Sequence, residues 1–541
     1  MEDNRLKLPA GIQTFEIIRT EGYVYVDKTK YFVNLIKNGR VFFLARPRRF
    51  GKSLTISTFD ALFSGKKELF KGLYAEEFLN RPDFEPSPVI RLDMSSVTVH
   101  EGMDVLNESM KHKIGMQANK LGVAIKSHHF AGDMLSELIV NAKIKYNQKV
   151  VVLIDEYDKP YTDFINDPDT AEKVREVLRS FYVQFKANDE HIRFLFITGI
   201  SKYTKMGVFS TLNNLIDISP DEGYGNICGY TEAEIVHYFA DYLDNTADEF
   251  GISTDRLLER MRNYYDGFCF DVSGKNHLYN PFSTLYFFQK KKFFNFWFES
   301  ATPSLLSKYI KTQKLTVEQF RNFPISEDFI FNSVEIEKAK PENFLFQTGY
   351  LSLREGITDD LSLDYPNTEV LNSMSALLAQ NILQDRDEDF TYCRIDLLQG
   401  LMTLNDNKVV DVFNRLLASI PYDDFSAAAK QSISHNSYEF QAQEWLYRST
   451  IFAFLRGSGV VVTAEMHANK GRADLVVAHK GKTWVIEIKV AYDGQNPAKK
   501  AEEALRQIID KNYAQPYPDA FCVGMVIDDS VRQITHFLNK Y

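Results

Sequence analysis

The stretch VFFLARPRRFGKS, residues 41–53, constrains this chain more than any other. Five apolar residues, Val41–Ala45, read as a buried strand. A basic loop follows at 46–50, and Gly51-Lys52-Ser53 opens a helix-like run over 54–63. Strand, loop, Gly-Lys-Ser and helix is the layout of a phosphate-binding P-loop. Amides left free at a helix start point at an anion, and the helix dipole adds to their pull. In that layout Lys52 reaches the β- and γ-phosphates and the Ser53 hydroxyl ligates Mg²⁺. The usual first glycine of the pattern falls on Arg46, and Arg48 and Arg49 stand where small residues are common. Guanidinium groups suit phosphate oxygens, so Arg46, Arg48, Arg49, Gly51, Lys52 and Ser53 are the candidate nucleotide-binding residues. The plain alternative is a solvated basic turn.

KVVVLIDEYDKP, residues 149–160, supplies what a P-loop needs downstream. A valine-rich run makes a fully buried strand, with Asp155 and Glu156 at its carboxyl end. Asp155 is placed to hold Mg²⁺, and Glu156 to orient or deprotonate the attacking water. RFLFIT, 193–198, is a further buried strand, expected between the other two. Thr198 or Ser201 at its end fits a polar sensor. Residues 88–92 and 215–219 complete five strands. Their alternation with helices argues for a mostly parallel sheet covered on both faces. Ligands of such sheets bind outside the strand carboxyl ends, where Lys52, Asp155 and Thr198 fall. Smaller expectations are a strand at 23–26, a helix over 28–38, and a helical 101–147 that carries His128 and His129. A capping box at Thr231 and Glu234, an N-cap at Ser283, and a hairpin of 350–354 with 361–365 are also expected.

Length allows two to four domains. The net charge of −10 excludes a global basic field, so any nucleic-acid contact must use local patches. Cys228, Cys269, Cys393 and Cys522 lie far apart and form no CxxC or zinc set. With no apolar stretch of membrane-spanning length and no signal core, a cytoplasmic protein without membrane contact is expected.

The last hundred residues change character. A helix at 437–456, strands at 460–464, 473–478 and 483–490, a helix at 497–511 and a strand at 520–527 give the order αβββαβ. In WVIEIKV, strand alternation puts Glu487 and Lys489 on one face, opposite Ile486 and Ile488. A tight turn at Gly481-Lys482 brings the Asp474 strand alongside. Two carboxylates and an ammonium suit a hard divalent cation, with Lys489 positioning water or stabilising developing charge. The plain alternative is an amphipathic edge strand with a surface Glu–Lys pair.

LARPRRFGKSL, VVLIDEYDKP, FITGISKYTK and FSTLNNLIDIS resemble the AAA-ATPase-like family common in bacteria, over 6–225. The pattern runs on through YYDGFCF (264–270) and NPFS (280–283). The RPRRFGKS loop is typical of that family, whose layout is similar to AAA+ and STAND-like NTPases. GRADLVV followed by WVIEIKV resembles the PD-(D/E)XK nuclease superfamily, over 435–530. There Glu444 matches an extra acidic residue and Gln507 a helical glutamine, while Ala473 replaces the proline.

These resemblances imply an α/β chain cut into a P-loop domain (1–225), a helical lid-like region (226–300) and a helical linker with a winged-helix-like hairpin (301–434). The last part is a restriction-endonuclease-like domain (435–541). They imply Glu156, Asp474, Glu487 and Lys489 as catalytic residues, and Ser53, Asp155, Glu444, Asp474 and Glu487 as metal ligands. ATP and Mg²⁺ follow as cofactors, and nucleic acid, DNA ahead of RNA, as partner. The expected function is an ATPase coupled to a metal-dependent nuclease. The alternatives are a nucleotide-switched binding protein with a non-cutting nuclease-like domain, and a nuclease whose ATPase domain is vestigial. No arginine finger, and hence no oligomer, is assigned.

Overall fold

Apolar strands lay down the first sheet of the computed structural model. It describes residues 5–97, 103–164, 167–200, 214–301, 317–326, 340–355, 360–382, 387–420, 439–468 and 471–540, with residues 306, 315, 329 and 330 between them. β1 (Val41–Ala45), β2 (Val89–Asp93), β3 (Val150–Asp155), β4 (Ile192–Gly199) and β5 (Ile216–Asp217) are parallel, in the order β2-β3-β4-β1-β5. Every residue of β3 is buried, so both faces of the sheet are covered there. β4 lies between β1 and β3, as its sequence suggested. Ile197 pairs with Phe43 on one side and Ile154 on the other. The carboxyl ends of these three strands therefore adjoin.

Three local expectations are corrected. Residues 23–26 form no strand: Tyr23 makes a bridge to Lys7, while Val24 and Val26 bury against helices. Val24, Tyr25 and Val26 are all buried, so the apolar run reflects burial rather than a ladder. His128 and His129 lie between the Met103–Leu121 and Ala131–Tyr146 helices, not on one; Gly122, with φ at +58°, sits at the break. The Pro281–Lys290 helix is capped by Asn280, whose side chain accepts from the Ser283 amide, rather than by Ser283 itself.

The Glu232–Tyr238, Ala240–Phe250, Thr254–Tyr265 and Pro281–Lys290 helices share one core with Val24 and Val26, built on Phe239, Leu257, Met261, Tyr265 and Phe287. Thr231 and Glu234 form the expected reciprocal capping box. Further on, β7 (Ser352–Glu355) and β8 (Leu361–Asp364) make the expected hairpin, and β6 (Phe323–Ile325) adds an unforeseen third strand on the far side of β8. The chain divides into two compact units, Met1–Ala301 with Asn322–Thr368, and Thr302–Arg321 with Glu369–Tyr541.

In the second unit β9 (Val461–Ala468), β10 (Gly471–His479), β11 (Lys482–Ala491), β12 (Phe521–Asp528) and β13 (Gln533–Lys540) form a mixed sheet ordered β13-β12-β11-β10-β9. β11 and β12 are parallel and the other pairs antiparallel. The Pro497–Asp510 helix lies on β12 so closely that a Cβ at Gly524 would stand 2.6 Å from the Ala501 carbonyl oxygen, so only glycine fits. β13, absent from the sequence reading, closes that edge. Among the described residues no helix is long and apolar enough to cross a membrane.

Candidate nucleotide and metal centres

Gly51 takes φ at +97°, a left-handed value that costs glycine little, and so turns the loop into the Lys52–Phe63 helix. A cavity of about 390 Å³ opens at this helix start. Its lining combines Arg48, Arg49, Gly51, Lys52, Ser53 and Glu156 with the apolar Ile12, Val24, Ile227, Phe282 and Leu285. Such a mixture suits a nucleotide, which presents both an anion and a flat ring. Lys52 is buried and donates to the carbonyls of Arg46 at 2.8 Å and Pro47 at 2.9 Å. Burial lowers its pKa, against the pull of Asp155, Glu156 and Asp158. Thr198 Oγ1 donates to Asp155 Oδ1 at 2.7 Å, so the sensor candidate and the acidic strand end meet directly. Ser201, the other sensor candidate, lies outside the described residues. Burial raises the Glu156 carboxyl above its ordinary value, with Lys52 opposing. Its backbone is held at φ +51°, an uncommon setting for a non-glycine residue.

Arg46 is a correction. Its side chain is buried and aims away from the cavity. Nη1 donates to the Ala45 and Ser219 carbonyls at 2.9 Å, Nη2 approaches those of Tyr224 and Gly225 at 3.4 Å, and the guanidinium covers the Phe270 ring. It ties the loop to residues 219–225 instead of binding phosphate. Arg48 and Arg49 do line the cavity, the latter stacked 4.9 Å from the Phe282 ring centre. Sequence reasoning missed Lys28, whose buried ammonium lies 2.6 Å from Glu234 in the cavity wall.

The second centre grows from a parting of strands. The β10–β11 ladder ends at Leu475 and Ile486. Just beyond, Asp474 Oδ2 accepts the Ile488 amide at 2.8 Å, standing in for the missing backbone carbonyl. Ile486 and Ile488 are fully buried on one face of β11. On the other, Lys489 Nζ donates to Glu487 Oε1 at 3.0 Å. Glu487 is itself buried, and its Oε2 has no hydrogen-bond partner among the described residues. Burial, then the Asp474 charge, pushes its carboxyl up to about 7 despite Lys489. For Lys489 burial works against the charge, but Glu487, Asp474 and Glu444 outweigh it and hold the ammonium above its ordinary value.

Glu444, on the Glu439–Gly457 helix, is half-buried; burial raises its carboxyl, within the fields of Lys489, Asp474, Arg448 and Lys500. Yet among the described residues no three His, Cys, Asp or Glu side chains converge tightly enough to hold a metal ion. The expected set of Glu444, Asp474 and Glu487 does not converge in this way; Asp474 instead accepts from the Ile488 amide and from Arg448 Nη1 at 3.4 Å. Gln507 approaches Tyr513 rather than these acids. The chemistry of the donors still fits a divalent cation. They are hard oxygens, and a buried carboxylate oxygen without a partner beside a second carboxylate is an acceptor open to a cation.

The profile described as "Predicted AAA-ATPase" matches residues 9–209, and that of the PD-(D/E)XK nuclease superfamily matches 442–537. A protein described as "Uncharacterized protein in vnfD 5'region", from Azotobacter chroococcum mcd 1, is 33% identical over 522 residues, spanning 95% of this chain and 94% of the relative. Among solved structures, Cdc6p from Pyrobaculum aerophilum aligns with 66% of this chain and 93% of its own at 12% identity and a TM-score of 0.24, too low to relate the two folds. Both profiles fall on the two centres just described, and the long relative spans them together. The chain belongs to the predicted AAA-ATPase family, with a domain of the PD-(D/E)XK nuclease superfamily at its C-terminal end.

Proposed function

We propose that the chain binds and hydrolyses ATP in its N-terminal domain and that this gates Mg²⁺-dependent cleavage of nucleic acid, DNA ahead of RNA, by the C-terminal domain. The observation that supports it most is the buried Glu487, paired with Lys489 on one strand and facing Asp474 from the next. Burying that much charge on a strand is costly without a functional return.

At the first centre, Lys52 exchanges two loop carbonyls for phosphate oxygens as nucleotide enters. The amides at the start of its helix hold the same phosphates. Thr198 keeps Asp155 oriented, and Ser53 and Asp155 would hold Mg²⁺, which would offset phosphate charge. Glu156, with its carboxyl raised by burial, is the better base toward water near neutral pH. At the second centre Asp474 and Glu487 would hold the ion, which would polarise a phosphate oxygen. Lys489 keeps its proton and balances charge gathering on the phosphate.

The test uses the purified full chain with labelled DNA and RNA, with and without Mg²⁺ and ATP. Asp474→Ala and Glu487→Ala should each abolish cleavage, and Lys52→Ala should abolish ATP turnover. Cutting that survives both acidic substitutions removes the site assignment. A second reading, a nucleotide-switched protein that holds nucleic acid without cutting it, is favoured by the lack of three converged metal ligands among the described residues. It would show tight ATP binding without turnover, unaffected by Glu156→Gln, and bound but intact DNA.

A further inference from the structure

Arg448 is a fifth charged residue of the second centre, and nothing in the strand motif points to it. It stands one turn after Glu444, so both side chains leave the same face of the Glu439–Gly457 helix. Its Nη1 lies 3.4 Å from Asp474 Oδ1, with both side chains mostly withdrawn from water, 19% and 15% exposed. Asp474 Oδ2 is occupied by the Ile488 amide. Oδ1 is thus the oxygen of Asp474 left for a cation, and the guanidinium has it. The local charges are already in near balance: Glu444, Asp474 and Glu487 against Lys489 and Arg448, with Lys500 in the field of Glu444. A divalent ion added to this set leaves an excess of positive charge, and Arg448 is the cation that shares its oxygen.

Resting on the nuclease reading above, we propose that Arg448 is the counter-ion of Asp474 until a divalent cation displaces it, and that the released guanidinium then receives a phosphate oxygen of the nucleic acid. The planar fork of arginine suits both partners, carboxylate first and phosphate second. The exchange makes cation binding and phosphate binding support each other. It also accounts for the dispersed metal ligands, since the arginine holds Asp474 until the ion arrives.

The experiment titrates the full chain with Mn²⁺ by calorimetry, and separately with a short DNA duplex with and without Ca²⁺. Wild type is compared with Arg448→Ala, Arg448→Lys and Asp474→Ala. Removing the competitor should tighten Mn²⁺ binding about five- to tenfold in Arg448→Ala, the scale of a typical coupling between sites. The same variant should bind DNA more weakly and lose its gain in DNA affinity on adding the cation. Arg448→Lys, which keeps the charge, should stay near wild type for Mn²⁺ and guards against a folding defect in the alanine variant. Unchanged or weaker Mn²⁺ binding in folded Arg448→Ala overturns the inference. The nuclease reading survives that outcome if wild type still binds an ion that Asp474→Ala loses, and both fall if neither wild type nor Arg448→Ala binds one.

Discussion

Arg46 donates to carbonyls 173 to 179 residues further along the chain, at Ser219, Tyr224 and Gly225. Arg46→Ala should therefore cost about 1–3 kcal/mol of stability through orphaned carbonyls, seen in urea unfolding. Nucleotide affinity of the folded fraction should hold. Thr198→Val should leave nucleotide binding near wild type but cut ATP turnover ten- to hundredfold, the usual scale for a group that orients a metal ligand; phosphate release measures it. The Thr198–Asp155 contact was legible because the resemblance to P-loop ATPases put the Thr198 strand between the other two, and the last polar residue of an apolar run marks the edge. Arg46 was not legible, because a basic loop in sequence says nothing about which arginine turns inward. Asp266 offers a pH test. Burial pushes its carboxyl up to about 6 from 3.8, so the folded chain binds the extra proton between those values. Stability should fall as pH rises from about 4 to 6 and level off above, by on the order of 2–3 kcal/mol, and Asp266→Asn should remove the slope in melting scans.

At the scale of elements, Glu234 does two jobs. Its Oε2 accepts the Thr231 amide at 2.8 Å, closing the capping box of the Glu232–Tyr238 helix, and both its oxygens hold the buried Lys28. Thr231→Ala loses the cap alone and should cost about 1 kcal/mol. Glu234→Ala also strands a buried ammonium and should cost about 3–5 kcal/mol, with much of the loss recovered in Glu234→Ala with Lys28→Met; thermal melts of the three variants decide it. The capping box was readable from four consecutive residues, whereas the ion pair joins positions 206 apart. β6 and β13 escaped notice for a different reason. β6 has three residues including Pro324, and β13 is an edge strand with most of its residues exposed or half-buried. Neither carries an apolar alternation strong enough to mark a strand.

For the whole molecule, the nucleotide centre and the acidic centre belong to different compact units. Groups that share no partners change stability and binding additively. Glu156→Gln should stop ATP turnover without altering Mn²⁺ affinity at Asp474 and Glu487, as read by calorimetry in the absence of nucleotide. The described residues 317–321 group with the second unit, although they come before β6, β7 and β8, which group with the first. The polypeptide thus leaves one body, enters the other, returns, and leaves again. A transplant of this second unit onto a foreign partner would need two splices instead of one. Deletion series that shorten the protein from its far end will strip the second body piecemeal while leaving its early segment behind, without the residues it clusters with.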